Sequence, residues 1–234
     1  AVCAALFLFS GIMLCRQYAD GKQATEAFEQ VAALVETKPL PELTAFEKYR
    51  AVQEQNSDFV GWLSVPGTNI DYPVMQTVDE PNFYLKRGFD KQYSDYGVPY
   101  VQENCDIALS DNCVIYGHHM NDGSMFNVIS DTTDQATFDS IEFVYYITRD
   151  ATYKLRPLAT KVVEDTYSKA RTPNFEGDDG LKNYLSEMLD GASAVASDAT
   201  DRAASATKVV TLVTCRSLSL SNTRAVMVLT PVEE

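Results

Sequence analysis

Two histidines, His118 and His119, stand side by side in CVIYGHHMNDGSMF, and the chain has no others. Any mechanism that moves a proton through an imidazole must use one of them. They follow a hydrophobic run and precede Asn-Asp-Gly, a strand-to-loop junction from which side chains on a rigid scaffold project. In extended backbone the two rings point to opposite faces, so only one can serve a common site. Further on, KVVTLVTCRSLSLSNTRAVMVL carries Cys215 at the end of an apolar run, with Arg216 next and Arg224 opening the following run. Such a cysteine reads either as a buried strand-end thiol or as a nucleophile. A guanidinium near the sulfur favours the thiolate, because an unperturbed thiol with a pKa of about 8.5 is only a few per cent ionised at neutral pH. Aimed elsewhere, the same fork of donors holds a substrate carbonyl or an oxyanion. Either arginine also reads as the solvated end of a hairpin, the reading preferred for Arg216.

The elements that must position these groups are mostly strands. FVGWLSVPGTNIDYPVMQ is rich in β-branched and aromatic residues, with a turn at Pro66-Gly67. GVPYV (97–101), NCVIYG (112–117), IEFVYYITR (141–149), TYKLRPLATKVVE (152–164), ATKVVTLVT (206–214) and RAVMVLT (224–230) follow. About eight strands result, with short helical insertions at NFYLK, SMFNVIS and DQATF and one longer helix at DGLKNYLSEMLDG. That pattern predicts a closed or nearly closed mixed β-barrel rather than a doubly wound sheet. GASAVASDATDRAASA (191–206) is small and polar and predicts a solvent loop.

Ahead of the strands, Ala24, Ala27, Phe28, Val31, Leu34 and Val35 recur at helical spacing until Pro39 and Pro41. A second helix begins near Glu42, with Leu43, Phe46, Tyr49 and Val52 on one face, and QNSD ends it. The first fifteen residues, AVCAALFLFSGIMLC, carry no charge and stop at Arg16. They read as a truncated membrane anchor, since a full span needs about 20 residues. Among 234 residues, 45% are hydrophobic, enough for one sizeable core. A net charge of −14 with 19 scattered basic residues excludes a nucleic-acid partner, whose phosphates require clustered lysines and arginines. Cysteines at 3, 15, 105, 113 and 215 follow neither a zinc spacing nor a disulfide framework, and Cys105 and Cys113 are expected as free thiols. The acidic groups EGDDG and DKQYSD lack calcium-loop spacing and read as solvated surface. No metal or organic cofactor is implied.

The order YGHHM, then TLVTC, then Arg224 resembles the class B sortases. NSDFVGWLSVPGTNIDYPVMQ (56–76) and NFYLKRGFDKQYSDYGVPY (82–100) are similar to the early region of that class. The resemblance implies a mainly β, eight-stranded sortase-type barrel with N-terminal helices and one longer helix before the cysteine strand. Its divisions would be an anchor at 1–15, N-terminal helices at 16–56 and a catalytic barrel at 57–234. It further implies a single-pass membrane enzyme whose catalytic domain lies outside a Gram-positive cell. Such an enzyme cleaves a sorting motif of secreted proteins and joins them to a peptidoglycan or pilin amine. On this resemblance Cys215 is the nucleophile, His118 the acid and base, Arg224 the oxyanion and substrate holder, and Thr214 and Tyr167 substrate contacts. Val213 stands where class B members often have serine, and Arg216 where an acidic residue is common. A hydrolytic cysteine protease, a pilin-polymerising sortase and a catalytically silent binding module are the alternatives. Papain-like and caspase contexts around the cysteine are absent.

Overall fold

The computed structural model describes residues 2–36, 45–215 and 222–232. The chain opens with one continuous helix, α1 (Val2–Glu36), so the expected anchor segment and the amphipathic helix behind it are a single element. Neither Gly11 nor Gly21 breaks it, since an isolated glycine costs a helix only about 1 kcal/mol. Its two halves differ in surroundings. Leu6, Phe9, Ile12 and Leu14 are exposed, whereas Phe28 and Val31 are buried in the core, with the Phe28 ring 5.0 Å from that of Tyr72. Gly21 marks where packing begins, because a Cβ there would lie 2.2 Å from the Tyr96 hydroxyl. Among the described residues, no helix is long and apolar enough to cross a membrane.

The second helix, α2 (Ala45–Gln55), buries Val52 fully; the expected start at residues 42–44 lies outside the described residues. Asn56 ends it and does more than break the pattern. Its buried amide donates to the Tyr84 hydroxyl at 2.8 Å and the Phe89 carbonyl at 2.6 Å, tying the helix end to a segment that returns to the site.

Among the described residues nine strands follow: β1 (Phe59–Ser64), β2 (Asp71–Met75), β3 (Tyr100–Val101), β4 (Asn112–Tyr116), β5 (Val144–Thr148), β6 (Thr152–Glu164), β7 (Ala194–Val195), β8 (Val209–Cys215) and β9 (Thr223–Pro231). The hydrogen-bonded order β5-β1-β2-β3-β4-β8-β9-β6 is closed by pairing of β5 with β6, which makes an eight-stranded barrel. Closure removes the exposed edges that an open sheet of this composition would present. The long β6 serves two neighbours in turn along one edge: residues 152–155 pair with β5 and residues 159–160 with β7, while β9 takes the other edge.

Two pairings are parallel, β2 with β3 and β4 with β8. A parallel pair needs a long crossover. Here the chain between β4 and β8 supplies it, carrying α3 (Asn127–Asp131), α4 (Gln135–Ser140), β5, β6, α5 (Gly180–Leu189), β7 and α6 (Ala199–Ser205). The expected solvent loop over 191–206 is corrected: it contains β7 and α6. Ala199 and Ala203, one helical turn apart, are buried. Arg202 anchors the helix, donating through Nε to Asp198 at 2.9 Å and through Nη1 to the Thr230 hydroxyl at 2.9 Å. Alanines small enough for close packing replaced the larger apolar residues that a periodicity argument looks for.

Candidate active site

Parallel pairing of β4 with β8 sets the site. Tyr116 is opposite Val213, and the Gly117 N–H donates to the Val213 carbonyl at 3.1 Å. His118 therefore leaves its strand at the same barrel end at which β8 reaches Cys215. On the other side of β8, antiparallel pairing places Cys215 directly opposite Arg224. Residues far apart in sequence thus meet on three adjacent strand ends. Arg216 lies outside the described residues, as does the polar connection that follows it.

Gly117 is required by space. A Cβ at that position would lie 2.4 Å from Cγ of Phe126, a ring with no exposed surface. The Phe126 N–H in turn donates to the His118 carbonyl at 2.7 Å, so one residue packs against the glycine and holds the backbone of the histidine. His118 and His119 share one groove, and only His118 also reaches a second cleft. His118 lines a cleft of about 200 Å³ together with Thr214, Arg224, Leu85, Tyr116 and Arg171. The groove that both histidines line lies against α1 with Phe9, Met13 and Asp20, and the His119 Nδ1 is buried without a hydrogen-bond partner among the described residues.

The half-buried His118 ring is oriented by a backbone carbonyl. Its Nε2 lies 2.6 Å from the Leu85 oxygen. A carbonyl only accepts, so Nε2 carries a proton and, in the neutral ring, Nδ1 is the free base. Burial holds the His118 pKa below the ordinary value of 6.5, opposed by the Leu85 contact. The neutral form is favoured at neutral pH. Leu85 belongs to a single 3-10 turn, Phe83–Lys86, entered through Asn82 at φ 63°, a conformation that asparagine tolerates better than most residues. The Asn82 side chain accepts from the Tyr100 hydroxyl at 2.9 Å. Behind this turn, Asp95 takes hydrogen bonds from Lys86 at 2.9 Å and Tyr93 at 2.6 Å, and the Asp20 carboxylate on α1 accepts from the Asp95 N–H at 2.8 Å.

The other expected residues are placed unequally. Arg224 is half-buried at the cleft wall, its Nη1 donating to the Thr223 carbonyl at 3.2 Å. Thr214 is 2% exposed, and its hydroxyl has no partner among the described residues. Tyr167 is not brought to the cleft. It precedes a second 3-10 turn, Ser168–Arg171, and its hydroxyl donates to Glu187 of α5 at 2.8 Å, a carboxylate also paired with Lys169. The same turn carries Arg171 into the cleft, a residue sequence reasoning missed. Tyr116 and Gln102 were missed as well. Tyr116 stacks on Tyr100 with ring centroids 5.3 Å apart and donates to Gln102 at 2.6 Å. A usable signal was present: Asn112 and Gln102 are polar letters within or beside otherwise apolar strand runs, where a buried amide must have a defined partner. Cys105 and Cys113 are buried, unbridged thiols. Both line a different cavity, with Tyr146 and Tyr153.

Comparison with known proteins agrees with this arrangement. Residues 63–232 match the Sortase domain family. The chain is 25% identical to sortase B of Staphylococcus aureus over 182 residues, covering 77% of this chain and 72% of that protein. It is 32% identical to sortase B of Listeria monocytogenes over 126 residues, 52% of this chain and 50% of that protein. The solved structure of Bacillus anthracis sortase B in complex with AAEK1 superposes with a TM-score of 0.80 at 25% identity, covering 93% of this chain and all of that one. A family match spanning most of the barrel, and a fold in which histidine, cysteine and arginine share one end, lead to the same place: the chain belongs to the sortase family as a class B member, a sortase cysteine transpeptidase.

Proposed function

We propose that this enzyme is anchored in the cell membrane, acts outside a Gram-positive cell, and joins secreted proteins bearing a sorting motif to an amine of the cell wall. The register that sets Cys215 opposite Arg224, one strand from the end of β4 that delivers His118, carries the assignment of roles. In this reading the Cys215 thiol gives its proton to the free Nδ1 of His118 as the sulfur attacks the carbonyl carbon of the scissile peptide bond. The oxyanion that forms is held by Arg224, a permanent charge with fixed donors. Collapse of the tetrahedral species breaks the C–N bond, His118 gives its proton to the leaving amine, and a thioester remains. The incoming amine attacks the thioester, His118 takes the amine's proton, and the thiolate is released. Thr214 contacts the substrate from the cleft wall. A sortase B has been solved in complex with triglycine, which supports a peptide amine as the acceptor class. The uncharged first fifteen residues support the anchor.

The test uses the full chain in detergent micelles with a library of sorting peptides and several amine acceptors, followed by mass spectrometry. Joined product that disappears in Cys215→Ala is expected. Cleavage by water alone at saturating acceptor would make the enzyme a hydrolase, and no acyl-enzyme with any peptide would leave a silent binding module.

A further inference from the structure

Two buried amides are committed to one short stretch of backbone beside the cleft. Gln102, 7% exposed, donates to the Arg171 carbonyl at 2.8 Å. Asn112, with no exposed surface, donates to the carbonyls of Thr172 at 3.1 Å and Ala170 at 3.4 Å. Their acceptor ends are also taken: Gln102 by the Tyr116 hydroxyl at 2.6 Å and Asn112 by the Thr211 hydroxyl at 2.7 Å. A buried amide is costly unless paired, so such a network fixes residues 170–172 against β4 and β8.

What this rigid turn presents is the exposed guanidinium of Arg171. Its Nη2 donates to the Asp165 carbonyl at 2.7 Å, which aims the group without neutralising it. Among the described residues, no carboxylate pairs with Arg171 or with Arg224, although the chain carries a net charge of −14. Two unneutralised arginines therefore line one cleft of about 200 Å³ with His118 and Thr214. Arg171 is close enough to act on the cleft floor, where its charge opposes the upward push that burial gives the Tyr116 phenol. It stands on the β6–β7 connection, not on a strand that carries a reacting group.

We propose that Arg171 reads a carboxylate, so that one of the two molecules joined in this cleft carries an anionic carboxyl group that docks on its guanidinium beside Arg224. The inference rests on the transpeptidase reading of the same site. A planar fork of donors matches a carboxylate through two parallel hydrogen bonds, and carboxylates are the anions that peptides carry. The group comes from an acidic side chain of the sorting peptide or from the acceptor amine's own carboxyl group.

The experiment separates these sources. Sorting peptides differing only as Glu against Gln at each position, and acceptor amines differing only as free acid against carboxamide, are compared in the full chain, Arg171→Gln and Arg171→Lys. One of the two pairs is expected to show a preference for the acid of about five- to tenfold in kcat/KM at low salt. The preference shrinks as salt rises, falls to about one in Arg171→Gln, and survives in part in Arg171→Lys. Which pair responds identifies the source. Equal rates within both pairs, or a preference that persists in Arg171→Gln, overturn the proposal. The same ratios are read as equilibrium binding to Cys215→Ala, where no chemistry occurs. Absence of Cys215-dependent product from every peptide would overturn the transpeptidase reading, while the binding ratio would still decide the role of Arg171.

Discussion

Replacing Gly117 with alanine tests how the site is held. The new Cβ would lie 2.4 Å from Phe126 Cγ and 2.6 Å from both Cδ atoms. Carbon atoms in contact sit about 3.5–4.0 Å apart, so something must move by roughly 1 Å or more. Phe126 has no exposed surface and its backbone holds the His118 carbonyl, so the strain falls on the ring's packing or on the histidine's backbone. Overpacking of this kind costs about 1–3 kcal/mol. At about 2–4 °C per kcal/mol for a chain of this size, Gly117→Ala should melt roughly 2–12 °C lower. A displacement of about 1 Å at His118 should lower kcat/KM by about a hundredfold. The assays are calorimetry and peptide joining on the same preparations. Phe126→Ala alone opens a cavity costing about 3–5 kcal/mol, but combined with Gly117→Ala it should lose less than the two separate losses added. A Gly117→Ala enzyme with unchanged melting and turnover would refute the steric argument. Strictly additive losses in the double variant would move the cause away from Phe126.

Arg224→Ala should lower kcat/KM by about 10²–10³-fold through loss of oxyanion stabilisation, while Arg216→Ala should stay within a few-fold of wild type; the reverse in the peptide assay would transfer the role to Arg216. The His118 ring, followed by its NMR proton shifts, should titrate below 6.5, because burial disfavours its charged form. The folded state then binds fewer protons than the unfolded one. The His118 contribution to stability is accordingly complete above about 6.5 and lost as pH falls through the folded value, a dependence that His118→Gln should remove from denaturant titrations. Gln102→Leu strands the Tyr116 hydroxyl and the Arg171 carbonyl and should cost about 1–3 kcal/mol by urea unfolding. An unchanged midpoint would mean that neither group depends on Gln102.

The long alternating and apolar runs were legible in the sequence because their pattern is local. TYKLRPLATKVVE matches β6 residue for residue. Residues 194–205 were illegible for a physical reason: alanines bury too little area to announce an apolar face, and Arg202 looks like a surface residue until Asp198 and Thr230 are seen around it. The exchange of Tyr167 for Arg171 as the cleft-facing member of one turn has a similar cause. Its orientation is dictated by Gln102 and Asn112, which are remote in the chain, and no local propensity encodes such a contact.

The parallel pairing of β4 with β8 also governs the order in which the enzyme comes into being. His118 is synthesised long before Cys215, and the strand that brings the thiol to it must be inserted between β4 and β9, which is made later still. Contacts of such large sequence separation form late, because closing the intervening chain costs entropy before any pairing rewards it. A nascent or C-terminally clipped chain lacking β9 has the cysteine but neither Arg224 nor a neighbour for the outer edge of β8. Reactivity is thus tied to completion of the barrel, and the thiol gains its catalytic partners only when the whole fold exists to aim it.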